Sequence, residues 1–332
     1  MNDETGQMLA DQLDRLLGAL LDPNRPEDSP ALESAFAELG LDLALVPEGQ
    51  GGAGLGWRDL GPVFMTLGYH AAPGGLGERL IANALAARLG SVSDPAPALG
   101  FGALSVRDGR AWGSLTVPLS AGDRPVLAEG DGHLVLLPAG AGTSRPLHGV
   151  AREPGVALML SGTRPLAIRP LDGPGPEALL AVLRAAQIAG ALSRILGMTI
   201  EHGNTRQQFG RPIGKFQAVQ HLVAELAAEA GAARAGVEFA LRALDRGADW
   251  RAPAIAKIRA SRAVGRGAAV AHEVHGAIGI TGEHALHHLT RRLWQWRDEA
   301  GSEHAWSERL GNAVLTRGGT QVWADIVALG GG

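Results

Sequence analysis

The chain has 332 residues, 45% hydrophobic and 19% charged, with a net charge of −4, the make-up of a folded protein of two or three structural units rather than a disordered one. Lys and Arg are spread along the sequence, so no basic stripe points to nucleic acid, and no run approaches the ~18 consecutive apolar residues of a membrane span. There is no cysteine, which excludes disulfides, iron–sulfur clusters, thiolate zinc sites and thiol catalysis and accords with a reducing cytoplasm; the acidic opening, Met1-Asn2-Asp3-Glu4, lacks the basic start of a signal peptide.

Residues 1–90 read as helices. Leu9, Leu13, Leu16, Leu17 and Leu20 recur at helical spacing, Pro23, Asn24 and Pro26 end that segment, and residues 30–39 resume it. A short apolar run, Leu43 to Val46, is closed by Pro47 and a glycine-rich turn over 49–54. Helices are expected over 57–69 and 75–90. Between 95 and 172, Gly, Pro, Asp and Ser punctuate short apolar runs such as His133 to Leu137, the pattern of a small β unit. After Pro176 helical spacing returns along Leu179, Leu183, Ala186, Gly190 and Ile195, and again from Val219 to Leu226, over 252–275 and over 302–328. Long helices joined by short loops predict a four-helix bundle. The expected order is an N-terminal helical domain over 1–94, a reduced β domain over 95–172 and a C-terminal four-helix bundle over 173–332.

The segment from Arg206 to Gln220 carries the most chemistry. Arg206 ends one predicted helix and Gln217 opens the next, with Gly210 and Pro212 in the turn between them. An arginine at such a corner can fork its hydrogen bonds onto a phosphate, and a nearby glutamine can reach a ribose or adenine. The same residues also suit an ordinary helix–turn–helix corner with a solvated arginine.

This segment resembles the acyl-CoA dehydrogenase signature R-x-x-F-G-x-P-I followed by F-Q-x-V-Q. Upstream, Leu43-Ala-Leu-Val-Pro-Glu48, the Gly51-Gly52 pair and Leu60 to Leu67 are similar to that family's N-terminal helical domain. Downstream, Val274-His-Gly-Ala-Ile-Gly-Ile-Thr281 resembles its V-H-G-G-x-G-F-T loop, with Glu283, His284 and Arg291-Arg292 in familiar places. The resemblance implies a mainly α fold with a small central β domain, and FAD as cofactor. It implies that Arg206 and Gln217 contact the pyrophosphate and adenosine end of a neighbouring subunit's FAD, with Phe209 packed nearby and the loop around His275, Gly276 and Ala277 approaching the same cofactor through its backbone. Glu273 stands where the family has glutamine, Ala277 replaces the second glycine, and neither the T-E-P nor the W-I-T flavin segment of the β domain is present between Gly100 and Asp172.

The reaction the resemblance implies is α,β-dehydrogenation of an acyl-CoA, in which a glutamate removes the α-proton. The family places that glutamate at either of two positions. They fall here on Leu180, with Glu177 the nearest acid, and on Ala300, with Glu299 one residue early. Glu299 is a candidate base if the loop shifts by one residue; otherwise it is a solvated glutamate beside Asp298. His284, His287 and His288 lack a second E-x-x-H pair for a bundle metal site, so no metal is expected. Trp294, Trp296 and Trp306 are expected to cover core or interface. Three roles remain open: a subunit completing the FAD site of a paralogous partner in a heterotetramer, a self-sufficient homo-oligomer using Glu299, and a flavin-free helical scaffold. Either enzyme form takes an acyl-CoA and passes electrons to a separate acceptor.

Overall fold

A computed structural model of the protein describes residues 3–22, 30–90, 96–118 and 123–330. The first four helices are α1 (Asp3–Leu20), α2 (Pro30–Glu38), α3 (Trp57–Tyr69) and α4 (Leu76–Arg88). The predicted breakers Pro23, Asn24 and Pro26 and the boundary at residue 94 lie outside the described residues. α1 buries Leu13 and Leu17 while Asp11, Asp14 and Arg15 stay out of the core, so its apolar stripe is what docks it onto α3.

The β unit is two four-stranded sheets. One has the order β1 (Ala98–Leu99), β4 (Val126–Gly130), β5 (His133–Leu137), β8 (Ala167–Pro170); the other runs β2 (Phe101–Arg107), β3 (Arg110–Pro118), β7 (Pro154–Thr163), β6 (Thr143–His148). Only the β1–β4 pairing among these is parallel. Along β3 the buried positions are Ala111, Leu115 and Val117, with Trp112 and Ser114 outward, which is the period-2 alternation of a sheet with one covered face. Those inward residues join Val135, Leu137, Leu158 and Leu160 in a core of their own.

The C-terminal half is built on α5 (Pro176–Thr205), with α6 (Gln217–Asp245), α7 (Arg251–His275) and α8 (Leu286–Asp298) packed around it. From Ala178 to Leu192 every α5 residue is buried, the mark of a helix enclosed on all sides. α5 is long and apolar enough to cross a membrane by composition, but its apolar stretch is buried inside the molecule. It meets α3 so closely that a Cβ at Gly190 would overlap the Met65 carbonyl and one at Gly68 would overlap Gln187 backbone, so both faces of this crossing require glycine. Through this crossing the N-terminal helices share one core with the bundle. Two expectations are corrected. The helix over 302–328 is two helices, α9 (Glu303–Arg317) and α10 (Val322–Gly330), parted at Gly318, whose φ of 90° a helix cannot hold. The helix that completes the inner bundle is α8, which the sequence showed only as a charged, tryptophan-rich stretch; Trp296 and Trp306 are buried as expected.

Candidate functional site

Arg206 caps the C-terminus of α5 in extended conformation. Its N–H bonds the His202 carbonyl at 2.9 Å, and its own carbonyl accepts from Ile213 N–H at 2.8 Å. Between them runs a two-residue hairpin, β9 (Gln207–Gln208) to β10 (Arg211–Pro212), turned by Phe209 and Gly210 with φ of 52° and 77°. Positive φ at both central residues is the requirement of a tight hairpin turn. It throws Phe209 outward, 90% exposed, with its ring edge-to-face against Phe216 at 6.2 Å between centroids. Opposite stands the end of α7, where Gly276 takes φ 64° and ψ −144°, a region glycine alone enters without strain. A side chain there would project into open space.

The two walls enclose a groove of about 730 Å³ that brings together Arg206, Phe209, Glu273, His275, Gly276 and Ala277. Gln217, first residue of α6, is exposed between the lining residues Phe216 and Ala218. Arg206 forms no ion pair among the described residues, and no side chain caps the N-terminus of α6. A free guanidinium, free helix-end N–H groups and a wall without Cβ are what a diphosphate edge needs, so this groove fits the phosphate-bearing part of FAD. The exposed carboxylate of Glu273 works against it.

Beneath the groove lie three imidazoles. His275 stacks on His202 at 4.6 Å and meets His284 edge-on at 5.1 Å. Its Nδ1 bonds the Ala271 carbonyl at 2.8 Å and must carry the proton, which leaves Nε2 an acceptor, buried and without a partner among the described residues. Burial, and beyond it the neighbouring histidines, push His275 down to about 4, while its bond to Ala271 opposes the shift. His202, His272 and His284 are lowered too, chiefly by burial. Among the described residues no group of three or more His, Asp or Glu is arranged to hold a metal ion.

The two positions for a base lie away from this groove. Leu180 and Ala300 are both fully buried apolar residues. α8 stops at Asp298 because Ala300 and Gly301 take positive φ of 53° and 85°. Lys257 secures this stop from inside, its Nζ donating to the Trp296 and Arg297 carbonyls at 2.6 and 2.7 Å. Trp306 Nε1 donates to the Ala300 carbonyl at 2.7 Å. The expectation of a solvated Glu299 is therefore overturned. Arg297 and Asp298 pair with each other outside, but Glu299 turns inward; its Oε2 accepts from Arg184 Nε at 2.7 Å and its Oε1 from Gln295 Nε2 at 2.7 Å.

Arg184, 3% exposed, also donates to Glu78 at 2.5 Å and to Gln187 at 2.6 Å. Gln295 links onward to Glu153 at 3.1 Å, which pairs with Arg292 at 2.9 Å. Burial pushes the Glu153 carboxyl up, against the pull of Arg292. Arg292 belongs to the Arg291-Arg292 pair that the resemblance marked, but Glu78, Glu153 and Arg184 were not singled out in the sequence; the one available signal was Arg184, a lone charge inside an apolar stretch. Glu177 sits in the first turn of α5 outside this cluster, its carboxyl raised by burial and, less strongly, by Glu129, with Arg309 opposing.

The family model described as acyl-CoA dehydrogenase, C-terminal domain, matches residues 180–303, which span α5 to the start of α9 and so hold the groove, together with Arg184, Arg292, Gln295 and Glu299 of the charge cluster. Acyl-CoA dehydrogenase IpdE2 of Mycobacterium tuberculosis is 34% identical over 263 residues, 77% of this chain and 77% of that protein. The chain belongs to the acyl-CoA dehydrogenase family. Acyl-CoA dehydrogenase FadE27 of the same organism matches this acyl-CoA dehydrogenase-type chain at 30% identity, covering 94% of it and 97% of FadE27. Among solved structures, the ChsE4–ChsE5 complex from Mycobacterium tuberculosis superimposes with a TM-score of 0.79 at 24% identity, covering 94% of this chain and 98% of that one. A Tcur3481–Tcur3483 steroid ACAD variant gives 0.80 at 26% identity, covering 93% and 97%. The expected fold, mainly helical with a small central β region, is thus the fold of the family.

Proposed function

We propose that this chain is one subunit of an acyl-CoA dehydrogenase assembly, lending its Arg206–Gly276 groove to FAD held chiefly by a paralogous partner. One observation carries this: the chain has a built, outward-facing groove for an anionic cofactor edge but no free carboxylate at either base position. In such an assembly the bound FAD supplies the hydride acceptor for α,β-dehydrogenation of an acyl-CoA. Arg206 holds a phosphate through its fork, the N-terminus of α6 and the amides around Gly276 complete the anion cradle, and Gln217 reaches the adenosine end. His275 offers Nε2 as a neutral acceptor. The likeness in fold to a complex of two differently named chains supports a hetero-oligomer. A self-sufficient enzyme using Glu299 is disfavoured, because both carboxylate oxygens already accept hydrogen bonds from inside the chain. A separate electron acceptor and a cytoplasmic setting complete the reading.

The test is FAD per chain. The chain expressed alone is expected to bind FAD weakly or not at all, and the assembly co-purified with its partner to bind it firmly. Arg206→Ala should weaken FAD retention in that assembly roughly ten- to a hundredfold, the worth of a charge-assisted contact of about 1.5–3 kcal/mol, with Arg206→Lys rescuing only in part. Stoichiometric FAD on the lone chain would overturn the half-site reading.

A further inference from the structure

The walls of the groove carry opposite chemistry. On the hairpin side stand donors: Arg206, with Arg211 and Lys215 on the same turn, followed by the uncapped N-terminus of α6. On the α7 side the one carboxylate lining the groove is Glu273. It is exposed and forms no hydrogen bond or ion pair among the described residues. Arg266, the cation it influences on the same helix, is committed to Glu225 of α6 through Nε at 2.6 Å and through Nη2. Glu225, through that hydrogen bond, holds the Arg266 guanidinium above its ordinary range, and Glu273 adds to this more weakly, against a slight opposing effect of desolvation. Glu273 is therefore an acceptor in the groove with no donor assigned to it.

A carboxylate accepts hydrogen bonds and donates none, so what repels a phosphate suits a hydroxyl. FAD offers both groups: a diphosphate, and beside it an adenosine ribose whose vicinal hydroxyls are free. Paired hydroxyls match paired carboxylate oxygens, the device by which dinucleotide sites hold a ribose on an acid. A groove of about 730 Å³ has the size of a pocket for a whole nucleotide rather than for a diphosphate alone. Adenine has the exposed apolar faces of Phe209 and Ile278 to cover, which leaves the sugar for Glu273. We propose that Glu273 reads the adenosine ribose, accepting from its free hydroxyls and excluding any nucleotide whose ribose carries a phosphate. The proposal rests on the half-site reading of the groove. Its consequence is specificity. FAD and a coenzyme A thioester meet in one assembly and both contain adenosine diphosphate, but only the thioester bears a 3′-phosphate on that ribose. A glutamine here would hold a hydroxyl equally well and repel no phosphate.

The test is a ratio of affinities. The complete assembly, stripped of flavin, is titrated with FAD and with FAD phosphorylated on the 3′-oxygen of its adenosine, binding being read from quenching of flavin fluorescence. The unaltered assembly should favour FAD by roughly ten- to a hundredfold, the scale of like-charge repulsion at a partly screened site. Glu273→Gln should bring the two affinities within about threefold of each other, because it removes the charge and keeps the size. Glu273 is exposed and unpaired, so the substitution leaves the fold untouched. A ratio near one in the unaltered assembly, or a ratio that Glu273→Gln leaves unchanged, would overturn the proposal. Arg206→Ala, titrated in parallel, judges the groove itself. If it weakens both ligands while Glu273→Gln leaves their ratio alone, the groove reading stands and only the ribose assignment is lost. If Arg206→Ala changes neither affinity, the groove does not hold FAD and the ribose assignment falls with it.

Discussion

His275 has one ring nitrogen committed and one waiting, and the consequence is a dependence on pH. With its folded pKa near 4, below the ordinary histidine value, the folded state resists protonation that the unfolded chain accepts. Stability is therefore whole above about pH 6.5 and is lost as pH falls from there toward 4, the reverse of a histidine that gains a carboxylate partner. His202, His272 and His284 act in the same direction. Tm measured from pH 7 to 4.5 should fall, and His275→Asn should make that fall shallower; an identical slope in the variant would show that the ring is hydrated in the folded protein. The groove's two walls were legible because each is a short contiguous motif, the helix end, turn and helix start over 206–217 and the glycine loop over 274–281, although only the fold brings the two together. Glu299 was misjudged for the same reason. Its neighbours Arg297 and Asp298 make the stretch look solvated, and nothing local shows that the positive φ of Ala300 rotates the preceding carboxylate inward.

At the scale of elements, the helices were readable wherever an amphipathic stripe or a proline marked them. α9 and α10 were run together because apolar spacing continues through the Gly318-Gly319 pair, although two glycines are themselves a stop signal. The charge cluster escaped notice because its members, residues 78, 153, 184, 292 and 299, come from five different helices or loops and meet only when the helices pack. Glycines on α5 separate contact from propensity. Gly190 faces Met65 backbone, so Gly190→Ala forces α3 and α5 apart and should cost about 1–3 kcal/mol, as overpacking does. Gly197 on the same helix has open space where its Cβ would stand, so Gly197→Ala should stabilise by up to ~1 kcal/mol through helix propensity. Denaturant unfolding of both variants checks this, and equal effects of either sign would refute the close crossing.

For the whole molecule, the decisive variant is Glu299→Gln in the complete assembly, because it separates a base from a structural partner. A base replaced by glutamine loses ~10²–10⁴-fold in kcat while the fold is untouched. Glu299 in this chain predicts the opposite pair of results. The new amide places an NH₂ group against either the Arg184 guanidinium or the Gln295 amide, both donors in the present arrangement, and removes one of the carboxylates that hold Arg184. Gln295 cannot simply turn over to accept, since its Oε1 already accepts the Ala151 N–H at 2.9 Å and its Nε2 also serves Glu153. The cost spreads to the loop from the β unit that Gln295 anchors. Tm should therefore drop by several degrees while kcat per bound FAD stays within a fewfold of the unaltered assembly, measured below the transition. A hundredfold loss of kcat with Tm unchanged would mean that the loop after α8 opens in the assembly, that Glu299 leaves Arg184 to reach an acyl α-carbon, and that the chain is an enzyme in its own right.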